Sequence, residues 1–228
     1  MPILPRAALL ALFAAAPAQA ATVYDDQSAF LAAAAGLTLT YDGFGGPVAA
    51  ADSITFASGV VSTNSGGTRY STDNQVTGGR YRNNVDDLDP DSATDPTFQF
   101  GSFTVTWTLP TTVTALGFTF DSTKRNTDGS DFTVVEIGGV TYPVATAASA
   151  QSPSSTDPRE RTGFFGITDA AGFDTLRFSL ATATGNDTFF VDDLRFGGTP
   201  APVPLPPAAA MLLAGIGTLA AARRRRVA

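Results

Sequence analysis

Asp192 stands in a row that is otherwise apolar. Phe190, Asp192, Leu194 and Phe196 share one parity of a run that reads as a strand. A carboxylate on such a row needs a partner, because an unpaired buried charge costs several kcal/mol. Three answers are open. One is a calcium ion held by Asp192 and Asp193, with Asp25 or Asp42 brought in from the start of the chain. Another is a bulge that turns Asp192 to solvent. The third is an arginine partner such as Arg195 or Arg177.

Other acidic stretches offer less. Residues 121–131 set Asn126, Asp128 and Asp131 around Gly129, hard oxygen donors suited to calcium. No glutamate follows to complete an EF-hand, and Lys124 and Arg125 share the loop, so a polar hairpin loop is the simpler reading. Asp86, Asp87, Asp89, Asp91 and Asp95 read as a solvated acidic loop. A glycosidase needs two carboxylates facing each other across a sugar. Glu136 and Glu160 are the only glutamates, and Glu136 falls inside a strand. Tyr70, Tyr81 and Trp107 could stack on sugar rings if exposed, but Trp107 shares its row with Phe103, Val105 and Leu109 and reads as core.

The residue types that are missing narrow the chemistry further. The chain has no Cys and no His. Zinc sites built from those residues, cysteine nucleophiles and Ser-His-Asp triads are impossible, and no disulfide can form. All 21 acidic residues fall in 21–198, against 9 basic ones (14 less Arg6 and the four at 223–226), a net charge of −12. Such a body repels nucleic acid, which is bound by positive patches. It attracts cations, and its acidity also keeps an exported protein soluble.

The elements that position these residues read as strands and turns. Asp25 or Asp26 can cap a short helix carrying Phe30 and Leu31, ending at Gly36 in the C′ position. Strands are expected over 37–41, 54–61, 98–109, 116–120, 132–137, 140–144, 161–167 (as an edge), 176–180 and 189–196. Gly138-Gly139 marks a two-residue hairpin. Residues 64–84 read as a long surface excursion with little or no strand, and 145–158 as a loop. The 17 phenylalanines supply the core. The whole is all-β: an antiparallel β-sandwich, jelly-roll-like, with one short N-terminal helix. A barrel has the same periodicity.

Both ends read as processing segments. Residues 1–20 carry Arg6, an apolar run over 7–16 and the small-x-small pattern Ala18-Gln19-Ala20. That is a cleavable signal peptide, cut after Ala20; a buried N-terminal helix is the alternative. Residues 199–207 form a Pro-rich linker ending in the box Val203, Pro204, Leu205, Pro206 and Pro207. An uncharged run over 208–222 follows, then a 223–228 tail with Arg223, Arg224, Arg225 and Arg226. The run is short for a membrane span, which needs roughly 20 residues. Snorkelling arginines extend its reach, and they place the tail on the cytoplasmic side. A span held briefly and then cut, or a permanent anchor, both fit.

The box, the apolar run and the terminal arginines, in that order, resemble the PEP-CTERM class of bacterial sorting signals, nearest its VPLPA variant, with Pro207 as an extra residue before Ala208. The resemblance covers 203–228. It implies recognition by an exosortase-type protease, cleavage near the box, release or attachment at the cell surface, and association with exopolysaccharide. More loosely, the Phe30-Leu31 opening and the closing stretch 191–196 resemble ectodomains that carry this signal, and secreted carbohydrate-binding sandwiches. The readings that follow are an exported surface protein with a structural or interaction role, a calcium-dependent carbohydrate-binding module, or a secreted polysaccharide hydrolase.

Overall fold

The structure, a computed structural model, describes residues 21–65, 74–86, 104–124, 133–146, 149–180 and 186–198. The segments expected to be a signal peptide (1–20) and a sorting tail (199–228), most of the expected acidic loop and the loop 125–132 lie outside these residues. Among the described residues, no helix is long and apolar enough to cross a membrane.

In chain order the elements are β1 (Thr22–Tyr24), α1 (Gln27–Ala33), β2 (Leu39–Asp42), β3 (Ser53–Thr55), β4 (Val61–Asn64), β5 (Gln75–Thr77), β6 (Arg80–Asp86), β7 (Val105–Lys124), β8 (Thr133–Ile137), β9 (Val140–Pro143), β10 (Ala150–Gln151), β11 (Glu160–Leu180) and β12 (Asn186–Gly197). Among the described residues every strand pairing is antiparallel. The chain is therefore all-β with a single short helix among the described residues.

Two long strands organise the sheet. β7 and β11 pair along both of their arms, from Glu160↔Lys124 to Phe178↔Val105, with irregularities near Thr168 and Phe173. On one arm β4 joins β7 and β8 joins β11. On the other arm β12 joins β7, while β1 and β10 join β11. Long strands that bend and serve two sheet regions are how sheets turn corners. Rings from the two arms meet in the core. Trp107 packs against Phe178 at 4.9 Å and Tyr81 at 5.2 Å, and Phe178 stacks on Phe189 at 5.4 Å. Offset and edge-on aromatic pairs of this kind add to the burial of their large apolar faces.

Several expectations are corrected here. The strands expected at 98–109 and 116–120 are one strand from Val105 onward, and 161–167 and 176–180 are likewise one. The first part of β11 is interior, between β7 and β1, because its Phe164, Phe165 and Ile167 are all buried. Residues 54–61 are a hairpin: Gly59, at φ 86°, lets the chain turn between β3 and β4. Described residues of the 64–84 segment form β5 and β6, with Asn74, Tyr81 and Asn83 fully buried. Helix α1 is capped by Asp26, whose carboxylate accepts from Ala29 N at 2.8 Å. It ends at Ala34 without a left-handed glycine, and Leu31 is 39% exposed while Phe30 is buried. The Gly138-Gly139 hairpin between β8 and β9 is as expected, both residues having positive φ.

Candidate functional site

The apolar row of Asp192 is broken at Asp192 itself. The buried residues of β12 are Phe189 and Val191 on one side of it, then Leu194 and Phe196 on the other. The parity flips because β12 shifts register against β7 between Asp192 and Arg195. Asp193 takes φ 53°, and its N–H donates to Asp192 Oδ1 at 2.7 Å. Aspartate tolerates this left-handed conformation better than most residues. The bulge leaves Asp192 half-buried on the face away from the aromatic core, together with Phe190.

A cleft of about 160 Å³ opens on that face, lined by Arg80, Thr119, Phe120, Asp121, Pro153, Thr162, Phe190 and Asp192. Strand pairing assembles it: Phe190 lies opposite Asp121, and Asp192 opposite Thr119, across β12 and β7. The Arg80 guanidinium sits 5.1 Å from the Phe190 ring centre, a cation–π contact.

Asp121 is the hub of the cleft. Its Oδ1 accepts from Ser122 N at 2.9 Å and Ser152 Oγ at 2.6 Å. Its Oδ2 accepts from Ser154 Oγ at 2.7 Å and Arg80 Nη1 at 3.0 Å. Burial pushes this carboxyl up, but the hydrogen bonds from Ser152, Ser154, Arg80 and the Ser122 N–H together hold it below the ordinary carboxylate value. Asp192 goes the other way. Burial and the adjacent Asp193 charge raise it, against the Asp193 N–H and the charges of Arg80 and Arg195. Its Oδ2 accepts from no group among the described residues.

The four aspartates considered as calcium ligands have separate positions. Asp42 is 5% exposed, and its two oxygens accept from Phe44 N and Ser58 N, each at 2.9 Å. It ties the start of the β2–β3 loop to the β3–β4 turn. Asp193 Oδ1 accepts from the Tyr41 hydroxyl at 2.7 Å, and Arg195 stacks on the Tyr41 ring at 4.9 Å. Asp42 and Asp193 lie on the adjacent strands β2 and β12, where Asp42 faces Leu194. Asp25 is exposed after β1, which is separated from β12 by β11 and β7. Three strand spacings put it about 14 Å from β12. Among the described residues no three carboxylates form a group able to hold a metal ion.

The structure also moves the candidate sugar-stacking aromatics. Tyr81 and Trp107 are fully buried; Tyr70 lies outside the described residues. Among the described residues the exposed aromatic is Tyr41, at 57%, although its alternation with Leu39 points to the core. Arg80, Asp121, Ser152 and Ser154 carry no local signal, since their bonds span 31 to 41 residues of chain. No family model, curated protein or solved structure matches the chain.

Proposed function

We propose that this chain is an exported protein, sorted to the cell surface, whose 21–198 body is a β-sandwich that acts by binding rather than by catalysis. The sandwich reading is supported by the two arms of β7 and β11, each extended by different strands, whose rings meet in one core. The address is carried by the ends of the sequence: a signal peptide over 1–20, the 203–207 box, and a membrane segment at 208–222 followed by Arg223 to Arg226. An exosortase-like protease and exopolysaccharide are the partners that this address implies, and the −12 body argues against nucleic acid.

The observation that carries the non-catalytic reading is the saturation of Asp121. Two donors on each oxygen leave it no lone pair for a proton or a water. Among the described residues Asp192 then stands in the cleft as a single available carboxylate, where a glycosidase needs two. The test has two arms. Protease added to intact cells of the native host should degrade the body. Purified protein should release no reducing ends from a panel of polysaccharides. A protease-resistant body would sink the surface assignment, and sugar release abolished by Asp192→Asn would sink the non-catalytic one.

A further inference from the structure

We propose that the cleft between Arg80, Phe190 and Asp192 binds one neutral sugar residue, as a chain end or a single unit of a glycan. The inference rests on the binding reading above. It starts from what the cleft offers. One Arg80 N–H is spent on Asp121, and the remaining guanidinium N–H groups have no partner among the described residues. The Arg80 side chain is 42% exposed, so those donors are reachable. Asp192, whose Oδ2 has no donor among the described residues, lines the same cleft and offers an acceptor, and Thr119 and Thr162 line it too. Thr162 Oγ1 donates to Phe120 O, which leaves its lone pairs to accept. Phe190 and Pro153 make the remaining wall apolar.

A group that satisfies this cleft must accept from a guanidinium and donate to a carboxylate on the same lining. A hydroxyl does both, and neighbouring hydroxyls on one ring do so twice, while the C–H groups of that ring meet Phe190 and Pro153. An anion would face the two carboxylates, and a cation would face Arg80. At about 160 Å³ the space falls below the range for drug-sized ligands, which suits one ring rather than a chain lying in a groove. Asp121 serves as a positioning residue, since its four hydrogen bonds fix Arg80 and the Ser152–Ser154 turn around the site. The upward shift of Asp192 is what a desolvated acceptor awaiting a donor would show.

The experiment uses the mature protein purified from the native host. Methyl glycosides of glucose, galactose and mannose are offered at millimolar concentration, alongside glucuronate and glucosamine. Saturation-transfer NMR and calorimetry read the binding. At least one neutral glycoside should bind, and Asp192→Asn should weaken it about tenfold, as for a hydrogen bond to a charged group. Asp192→Asn keeps an oxygen for the Asp193 N–H, so the bulge is preserved. Arg80→Gln should weaken binding at least as much, and circular dichroism checks that both variants are folded. Binding of the charged sugars alone overturns the proposal. So does an absence of binding to the neutral glycosides, or binding that both folded variants leave unchanged. A protein that reaches the surface yet binds no glycoside removes this site while leaving the surface assignment intact. Glycoside binding by a protein that is not at the surface does the reverse.

Discussion

Gly117 and Gly166 lie directly opposite each other across β7 and β11, and together they make the bare patch on which helix α1 rests. A Cβ at Gly117 would come within 2.6 Å of Phe164 and 3.0 Å of Phe30. At Gly166 the distances would be 2.7 Å to Phe164 and 2.9 Å to Phe30. Phe30, fully buried, packs on Phe164 at 5.5 Å and on Tyr24 at 6.0 Å. Both glycines are thus fixed by packing, since neither has positive φ.

Gly166→Val should therefore destabilise the body by about 1–3 kcal/mol, the usual cost of overpacking. Phe30→Ala should cost about 3–5 kcal/mol. In the double variant the valine should cost less, because removing Phe30 gives Phe164 room to move. Urea unfolding of the four proteins measures this. Equal midpoints for wild type and Gly166→Val would show that the patch does not hold the helix.

A second prediction concerns the polar cluster inside the 74–86 segment. Asn74 Nδ2 donates to Ala51 O at 2.8 Å and Ser62 O at 3.2 Å, while its Oδ1 accepts from Ser62 Oγ, Tyr81 OH and Asn83 Nδ2. Asn83 also donates to Asn64 and Tyr81. Removing Asn74 leaves several buried groups unpaired, each costing about 1–3 kcal/mol, so Asn74→Ala should lose at least about 3 kcal/mol. Burial pushes the Tyr81 hydroxyl up to about 12, although Ser62, Asn83 and Trp107 pull it down. A raised folded value means that its contribution is complete below the unfolded value near 10 and is lost as pH rises towards 12. Stability should fall over that window, and Tyr81→Phe should flatten the fall. Tyr41, raised by its hydrogen bond to the Asp193 carboxylate, adds a loss of the same sign, so the Tyr81 comparison is repeated in a Tyr41→Phe background. An identical alkaline profile for wild type and Tyr81→Phe would refute the assignment.

That cluster also explains what could be read in advance. The apolar alternation of 105–109, 116–120 and 176–180 marks strands, and Gly138-Gly139 marks its hairpin, because burial and turn geometry there are local properties. Asn74, Tyr81 and Asn83 are invisible because polar residues are buried when they satisfy one another, and apart from the Tyr81–Asn83 pair the partners lie 7 to 23 residues away. The unease about Asp192 was legible, since it breaks an apolar row. Its resolution was not, because the bulge is set by pairing with β7 and by Asp193 at φ 53°. The cleft around Asp121 was illegible for the same reason: β6, β7, β12 and the turn at Ser152–Ser154 meet only in the folded sheet.

The two cleft carboxylates should give opposite acid responses. Asp121 is held below its ordinary value of 3.8, so its contribution is present above that pH and is lost as pH falls through its folded value. Asp192 is held above 3.8, so its ionisation opposes folding at neutral pH, and the penalty vanishes as pH falls through its folded value towards 3.8. Asp192→Asn should therefore melt at or above wild type at pH 7, with the gap closing by pH 4. Asp121→Asn should melt below wild type at pH 7, with its deficit shrinking at lower pH. Melting curves of the three proteins from pH 3 to 7 decide it, and deficits of the same sign for both variants at pH 7 would be the contrary result.

The last prediction concerns the tail. If 203–228 is a sorting signal, its processing requires both the box and the basic stop. Pro204 and Pro206 lack backbone N–H groups and disfavour a helix, which would keep the box open to a protease at the membrane surface. On that reading Arg223 to Arg226 would hold the end on the cytoplasmic face, which would place the box just outside. Replacing all four arginines with Ala should let the segment slip through or reverse. Changing Pro204 and Pro206 to Ala should leave an uncut form bound to the membrane. Blots of fractionated native-host cells should show that form as a band about 2 to 3 kDa heavier than wild type, the rough mass of a span-sized segment. Wild type and the proline variant running together in the membrane fraction would mean that the tail is a permanent anchor, because a segment that is never cut cannot register the loss of its cleavage box.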